Sequence, residues 1–482
     1  MSDLPLVEEL VPAPEPADTA ARFLGQPHLL FLDSASDPAR LGQHSFLAAA
    51  PVAVVRNRGR RASAPDALEE LRTRLAPYRA EPLAGLPPFQ GGAAGYIGYD
   101  FGEVLERLPA PRYDDLALPD LTFGIYDWVI AWDHRAARAW LISTGIPPEE
   151  GEPASLTRAR ERLDWVRRML TGPTAGAAGR VRIPRPVLHP APSFPVTGIE
   201  HGGEIGLRSS FTHRGYLDAV TRVREYIVAG DIFQANLSQR LEAPLEEDPW
   251  HLYRRLREVN PAPFAAYLDF DGVEIASASP ERFLRLDPDG AVETRPIKGT
   301  RPRGLSPLHD AALSRSLQES EKDRAENLMI VDLLRNDLSR VCRPGTVRVP
   351  ELFALEPYRT VHHLVSTVVG RLAPGMDACA LLAATFPGGS ITGAPKVRAM
   401  EIIAELEPSR RGVYCGSIGY VSLTGAMDTS IVIRTFVVLG GRAWFSVGGG
   451  IVADSDPESE YQETLDKARA LIATLAGAVA TP

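Results

Sequence analysis

Gly230-Asp231-Ile232-Phe233-Gln234-Ala235-Asn236-Leu237-Ser238-Gln239-Arg240 is where the chain changes its period. Upstream, Thr212 to Ala229 carries Tyr216, Val220, Val223 and Ile227 at helical spacing, an apolar stripe on one face. Gly230-Asp231 ends that helix, and Ile232 to Arg240 alternates as a strand does. Further on, a helix at Pro249 to Val259 precedes strands at Phe264 to Asp269, Val273 to Ala278 and Arg282 to Leu286. One long helix is expected from about Pro307 to Cys342, with Leu328, Val331, Leu334 and Leu338 toward the core. Strands then follow at Val413 to Ser422, Thr429 to Leu439 and Arg442 to Val447, and a last helix from about Pro457 to Val479. Helices and strands mix without a regular βαβ alternation, so the expected class is α+β rather than a doubly wound sheet.

Toward the N-terminus, residues 1–20 are rich in Pro, Ala and Glu and read as a loose lead-in. From Phe23 to about Leu170 short apolar runs separated by turn residues predict mostly strands, with helices at Pro65 to Leu75 and over 154–170. Gly91 to Asp100 is glycine-rich but lacks dinucleotide-binding spacing, and reads as tight packing. Residues 171–205, rich in Pro and Gly, read as a linker between two halves.

The 482-residue chain could bury one very large core or two ordinary ones. Its 44% hydrophobic and 23% charged residues are the balance of a soluble globular protein. A net charge of -9 speaks against nucleic acid as a partner. No apolar run nears the roughly 20 residues of a membrane helix, so no membrane role is expected. The start, with Glu8 and Glu9, lacks the basic and apolar regions of a secretion signal. Cys342, Cys379 and Cys415 form no CxxC pair, which predicts a reducing, cytoplasmic setting.

Several stretches carry chemistry. In Pro296-Ile297-Lys298-Gly299-Thr300 a lysine stands between a proline and a glycine, with Arg301 and Arg303 behind it to attract an anion. Buried, that lysine becomes a nucleophile; exposed, it is an ordinary basic loop. On the last helix Glu460, Glu463 and Lys467 share a face opposite Tyr461, Leu465, Ala468 and Ile472. Two carboxylates there suit a hard cation such as magnesium, while Glu463 and Lys467 also read as a surface ion pair. Gly448-Gly449-Gly450 just before that helix can offer backbone N–H groups to an anion. Glu326, amid Lys322, Asp323 and Asp337, is either a second magnesium carboxylate or part of a solvated charged face. Glu281, in Ser279-Pro280-Glu281, is a general acid or base, or a surface turn residue. Adjacent His362 and His363 point different ways, so one belongs to a site and one is packed. Phe386 to Lys396 is glycine-rich without the spacing of a phosphate loop, and either holds a carboxylate or makes a close turn.

Ser279 to Phe283, Pro296 to Gly304, Asp323 to Asp337, His362 to Ser366, Pro387 to Ile402, Cys415 to Tyr420 and Gly448 to Thr464 together resemble the chorismate-utilising enzymes. The resemblance is dense over residues 205–475 and weaker upstream. It implies two facing antiparallel β-sheets in a sandwich-like core surrounded by helices. Residues 1–170 would form a region like that of anthranilate synthase component I, and 206–482 a chorismate-binding catalytic domain. The branch that aminates chorismate at carbon 4 has a lysine at the position of Lys298, where the anthranilate-forming branch has a small residue. Water-using branches carry a lysine where this chain has Gln234. The chain therefore resembles the first branch, with anthranilate formation as the alternative.

That resemblance implies Lys298 as nucleophile, Glu281 as acid and base, and His363 as the active-site histidine. It implies Mg2+ on Glu326 and Glu463 with Glu460 nearby, and substrate bound by Gly299, Thr300, Tyr414, Arg434, Gly448, Gly449, Gly450 and Lys467. The product would be 4-amino-4-deoxychorismate, on the way to 4-aminobenzoate and folate. No cysteine lies in a G-x-C-x-G turn, so ammonia would come from a separate glutamine amidotransferase subunit. A tryptophan pocket is matched by Ser34, Pro263 and Phe264, but Gln43 stands where its usual arginine would be.

Overall fold

A computed structural model describes residues 4–35, 41–59, 67–149, 151–172, 190–358 and 361–477. Among these residues two sheets, of thirteen and ten strands, are built from antiparallel ladders. Phe46, Tyr126, Leu268, Ile275, Tyr420 and Trp444 belong to the apolar layer between them. Helices Leu156–Thr171, Pro249–Val259 and Pro457–Ala476 cover the outer face of the larger sheet. Ala67–Leu75, Glu321–Ser339 and Ala378–Thr385 cover that of the smaller. With both faces covered, strands such as Gly92–Ile97 and Leu121–Tyr126 are buried throughout and read as continuous apolar runs. The α+β sandwich is the architecture expected.

Both sheets draw strands from either side of the 171–205 stretch. Leu29–Asp33 pairs with Phe264–Phe270, and Gly92–Ile97 with Ser417–Ser422. Within that stretch, 173–189 lie outside the described residues, and Phe194–Pro195 pairs with Arg208–Ser209. The expected lead-in is ordered: Leu6–Glu9 pairs with Arg138–Ser143, and Pro16–Ala21 is a helix.

Two readings are corrected. The single helix expected over Pro307 to Cys342 is two, Pro307–Glu319 and Glu321–Ser339. Ser320 leaves the helical region at φ -66, ψ 108, and its hydroxyl caps the Asp323 N–H. The strand expected over Thr429 to Leu439 is also two, Met427–Ile431 and Thr435–Leu439, one in each sheet. Arg434 between them has φ 53, a conformation that ends a strand.

Beside this crossing lies a second. Val273–Ser279 belongs to the larger sheet and Arg282–Leu286 to the smaller, so the chain also changes sheets at Pro280-Glu281. The two crossings are laced together. Ile431 N–H donates to Glu281 O at 3.0 Å, Ala278 N–H to Arg434 O at 3.1 Å, and the Ser279 hydroxyl to Ile431 O. No described helix is long and apolar enough to cross a membrane.

Candidate active site

Glu281 sits at the double crossing and is only 4% exposed, so it is not a surface turn residue. Burial drives its pKa up to about 7, against the pull of a hydrogen bond from Ser390, the charge of Lys298, the Ile297 N–H and Arg434. The Ile297 N–H lies 3.4 Å from Glu281 Oε1.

Lys298 follows on strand Ile297–Pro302, which pairs with Val361–Arg371. The register shifts between Ile297 and Thr300, a bulge that re-aims the side chain between them. Gly299 makes the bulge possible: its φ is +88, and a Cβ there would stand 2.9 Å from Leu317 Cδ1 and 3.0 Å from Asp323. Desolvation lowers the Lys298 pKa below the usual lysine range; Glu326 opposes that shift, Lys467 adds to it, and Glu281 and Glu463 oppose it.

Two helices supply the acids around this lysine. Burial raises Glu326, against Lys298 and Lys322, while Asp323 and Glu463 push it the same way as burial. Glu463 and Lys467 are each about half exposed and pair at 2.7 Å, as the surface reading expects; partial desolvation pushes Glu463 upward, but the lysine outweighs that and leaves its pKa low. Glu460 is buried and accepts from the Ser455 hydroxyl at 2.6 Å; desolvation raises it, with Glu463 adding to the rise. Lys322 stands 3.9 Å from Glu460.

Among the described residues no three His, Cys, Asp or Glu side chains gather closely enough to hold a metal between them. Glu326 and Glu463 form a looser pair, in which the charge of Glu463 reaches Glu326. One or two carboxylates completed by ligand oxygens and water are the usual donor set of magnesium. Zinc would require a closer group with nitrogen or sulfur.

Gly448, Gly449 and Gly450 lie inside strand Arg442–Ile451, paired with Ser238, Leu237 and Asn236. The ladder on the opposite edge stops at Trp444, so among the described residues no strand pairs with that edge at the glycines. Lys467 Nζ donates to Gly448 O at 2.8 Å. A Cβ on Gly449 would come within 3.1 Å of Glu460 Oε2, and one on Gly450 would meet the Gln234 amide. The glycines thus let the last helix and Gln234 close in on the strand.

His363 is buried and its pKa falls to about 3, through desolvation first and then Arg434 and His362, so it is neutral. Its Nδ1 lies 2.9 Å from Thr300 Oγ1. His362 is the packed histidine, 2.9 Å from Asp310. Arg434 is desolvated and electrostatically coupled to Glu281. Tyr414 is partly buried, its ring 5.8 Å from the Arg411 guanidinium. Arg301 and Arg303 do not wait for an anion as expected, because Asp323 holds the first at 2.9 Å and Asp310 the second at 2.7 Å.

Ser34, Pro263 and Phe264 come together elsewhere, in a cavity of about 170 Å³ also lined by His44, Arg282 and Tyr420. None of the residues around Lys298 lines it. Sequence reasoning passed over Ser390 and Arg411. Ser390 belonged to a glycine loop read as holding a carboxylate or making a close turn, with no residue of it singled out, and Arg411 carried no sign of the burial that the fold gives it.

A model of the chorismate binding enzymes matches residues 28–473. Aminodeoxychorismate synthase component 1 of Salmonella typhimurium is 46% identical over 409 residues, spanning 84% of this chain and 82% of that protein. Anthranilate synthase component 1 of Thermus thermophilus is 46% identical over 415 residues, spanning 86% and 83%. The crystal structure of anthranilate synthase component I from Streptococcus pneumoniae superposes with a TM-score of 0.73 at 33% identity, covering 89% of this chain and 92% of that one. The menaquinone-specific isochorismate synthase of Escherichia coli shares the fold, with a TM-score of 0.69 at 19% identity over 98% and 96%.

Proposed function

The chain belongs to the chorismate binding enzymes, and from that premise we propose that it aminates chorismate at carbon 4 to give 4-amino-4-deoxychorismate. The carrying observation is Lys298, half-buried beside the Gly299 bulge and desolvated, its amine feeling the charges of Glu326 and Glu281. The ammonia is supplied by a separate glutamine amidotransferase subunit, and the product feeds 4-aminobenzoate and folate synthesis in the cytoplasm.

Neutral Lys298 adds through Nζ to ring carbon 2. The ring double bonds shift, and the carbon 4 hydroxyl departs as water with the proton of Glu281. Ammonia then bonds to carbon 4, the double bonds return, and the carbon 2–Nζ bond breaks with its electrons going back to Lys298. Glu281 recovers its proton from the new ammonium group. A carboxyl with a pKa near 7 gives up and regains a proton with little cost at neutral pH. Neutral His363 with Thr300, Arg434, Tyr414, Gly299, the strand edge at Gly448 to Gly450, and Lys467 hold the carboxylates and enolpyruvyl group. Mg2+, held by Glu326 and Glu463 with Glu460 behind them, would neutralise the ring carboxylate.

Anthranilate formation is the second reading, favoured by relatives such as that of Thermus thermophilus. Incubation of the purified chain with chorismate, Mg2+ and ammonium decides between them. We expect aminodeoxychorismate; anthranilate with pyruvate would overturn the assignment. Mass spectrometry after chorismate without ammonia should find an adduct on Lys298, and a Lys298→Ala protein of undiminished activity would remove its role.

A further inference from the structure

The glycine loop Phe386 to Lys396 has no part in the chemistry above, yet Phe386 to Ala394 are all buried. It is packed against the strands that carry Glu281. A Cβ on Gly388 would stand 2.7 Å from Ile431 Cδ1 and 3.4 Å from Phe283 Cε2, and one on Gly389 would stand 2.8 Å from Leu333 Cδ2. Ile431 is the residue whose N–H donates to Glu281 O, and Phe283 lies two positions beyond Glu281. Only a chain without side chains at 388 and 389 approaches this closely.

The loop is held from both sides. Arg411, itself buried, donates to Ile391 O at 3.0 Å and to Glu407 at 2.9 Å. Asn236 N–H donates to Thr392 O at 2.7 Å, and Thr392 Oγ1 closes back on Gly388 O at 3.0 Å. Lys396 Nζ anchors the far end on Asp337 at 2.6 Å and Thr385 O at 2.8 Å. Ser390, at the apex, is buried, and its hydroxyl opposes the rise that burial imposes on the Glu281 carboxyl.

We infer that this loop exists to set the Ser390 hydroxyl against Glu281, and that Ser390 is a positioning residue for that carboxyl group. The inference rests on Glu281 being the acid and base proposed above. Burial alone favours the protonated carboxyl, whereas a donated hydrogen bond favours the carboxylate. A group that must release a proton and take it back needs both forms within reach, and Ser390 supplies part of the second influence, beside the Lys298 charge, the Ile297 N–H and Arg434.

The test reads the carboxyl itself. Infrared difference spectra of wild type against Glu281→Gln isolate the protonated-carboxyl band of Glu281, whose midpoint is followed with pH. Ser390→Ala should raise that midpoint by about one pH unit and lower kcat more than it raises KM for chorismate. Ser390→Thr, which restores a hydroxyl, should return both toward wild type. An unmoved midpoint in a folded Ser390→Ala protein overturns the inference. A fully active Glu281→Gln protein would instead overturn the role of Glu281.

Discussion

Replacing Gly299 by alanine tests whether the bulge aims Lys298. Two costs meet at this position. At φ +88 any L-residue carries about 1–2 kcal/mol of backbone strain. The new Cβ would also stand 2.9 Å from Leu317 Cδ1 and 3.0 Å from Asp323 Cβ and Cγ, an overpacking worth about 1–3 kcal/mol. Gly230 provides the control, because its φ is +83 but nothing lies within 4 Å of its Cβ position. Gly230→Ala therefore measures backbone strain alone, and the difference between the variants measures crowding beside the lysine. In urea unfolding we expect Gly299→Ala to be the less stable of the two by about 1–3 kcal/mol. In chorismate amination with ammonium, Gly230→Ala should match wild type. Gly299→Ala should lose on the order of 100-fold, the usual cost of an ångström-scale misplacement. Equal stability and equal activity in the two variants would refute the claim that the bulge directs Lys298.

Three further outcomes follow from the same geometry. Glu281 titrates near 7 in the folded chain and near 4.5 unfolded, so its proton stabilises the fold fully below pH 4.5 and that contribution is lost as pH rises through 7. Between pH 5 and pH 8 wild type should lose on the order of 3 kcal/mol that Glu281→Gln retains, and parallel stability curves would contradict this. Lys396→Met strands Asp337 in the interior and should cost about 3–5 kcal/mol, most of it recovered in the Lys396→Met, Asp337→Leu double variant; no recovery would show that the ion pair is not the cause. His363 should show the nitrogen shifts of a neutral imidazole at pH 5, and a protonated ring there would contradict its burial beside Arg434.

The elements governed by local periodicity were legible. Thr212 to Ala229 became helix His213–Val228, and Pro249–Val259 and Arg282–Leu286 appear within the expected bounds. The errors arose where one residue's conformation outweighed the pattern. Apolar residues run through Ile431, Val432 and Ile433 and again from Phe436, so nothing in the alternation announces the turn at Arg434. Ser320 is a capping residue in a stretch whose charges looked continuously helical. At the site, residue types named Lys298 and Glu281 as candidates but left surface readings open for both. Burial, which closes the second of these, comes from strands more than a hundred residues apart. Ser390 and Arg411 were missed for the same reason: their roles depend on what packs against them.

The paired crossings at Glu281 and Arg434 bear on when the site is assembled. The contacts that fix Glu281 join residues 279–281 to residue 431, a separation that only late, long-range pairing can close. Their flanking strands lie in both sheets, and each sheet includes strands from the first 150 residues. A partly folded chain can therefore hold most of its helices and hairpins without a formed acid–base centre. The acid–base centre is complete only where strands of both sheets and both halves of the chain have paired.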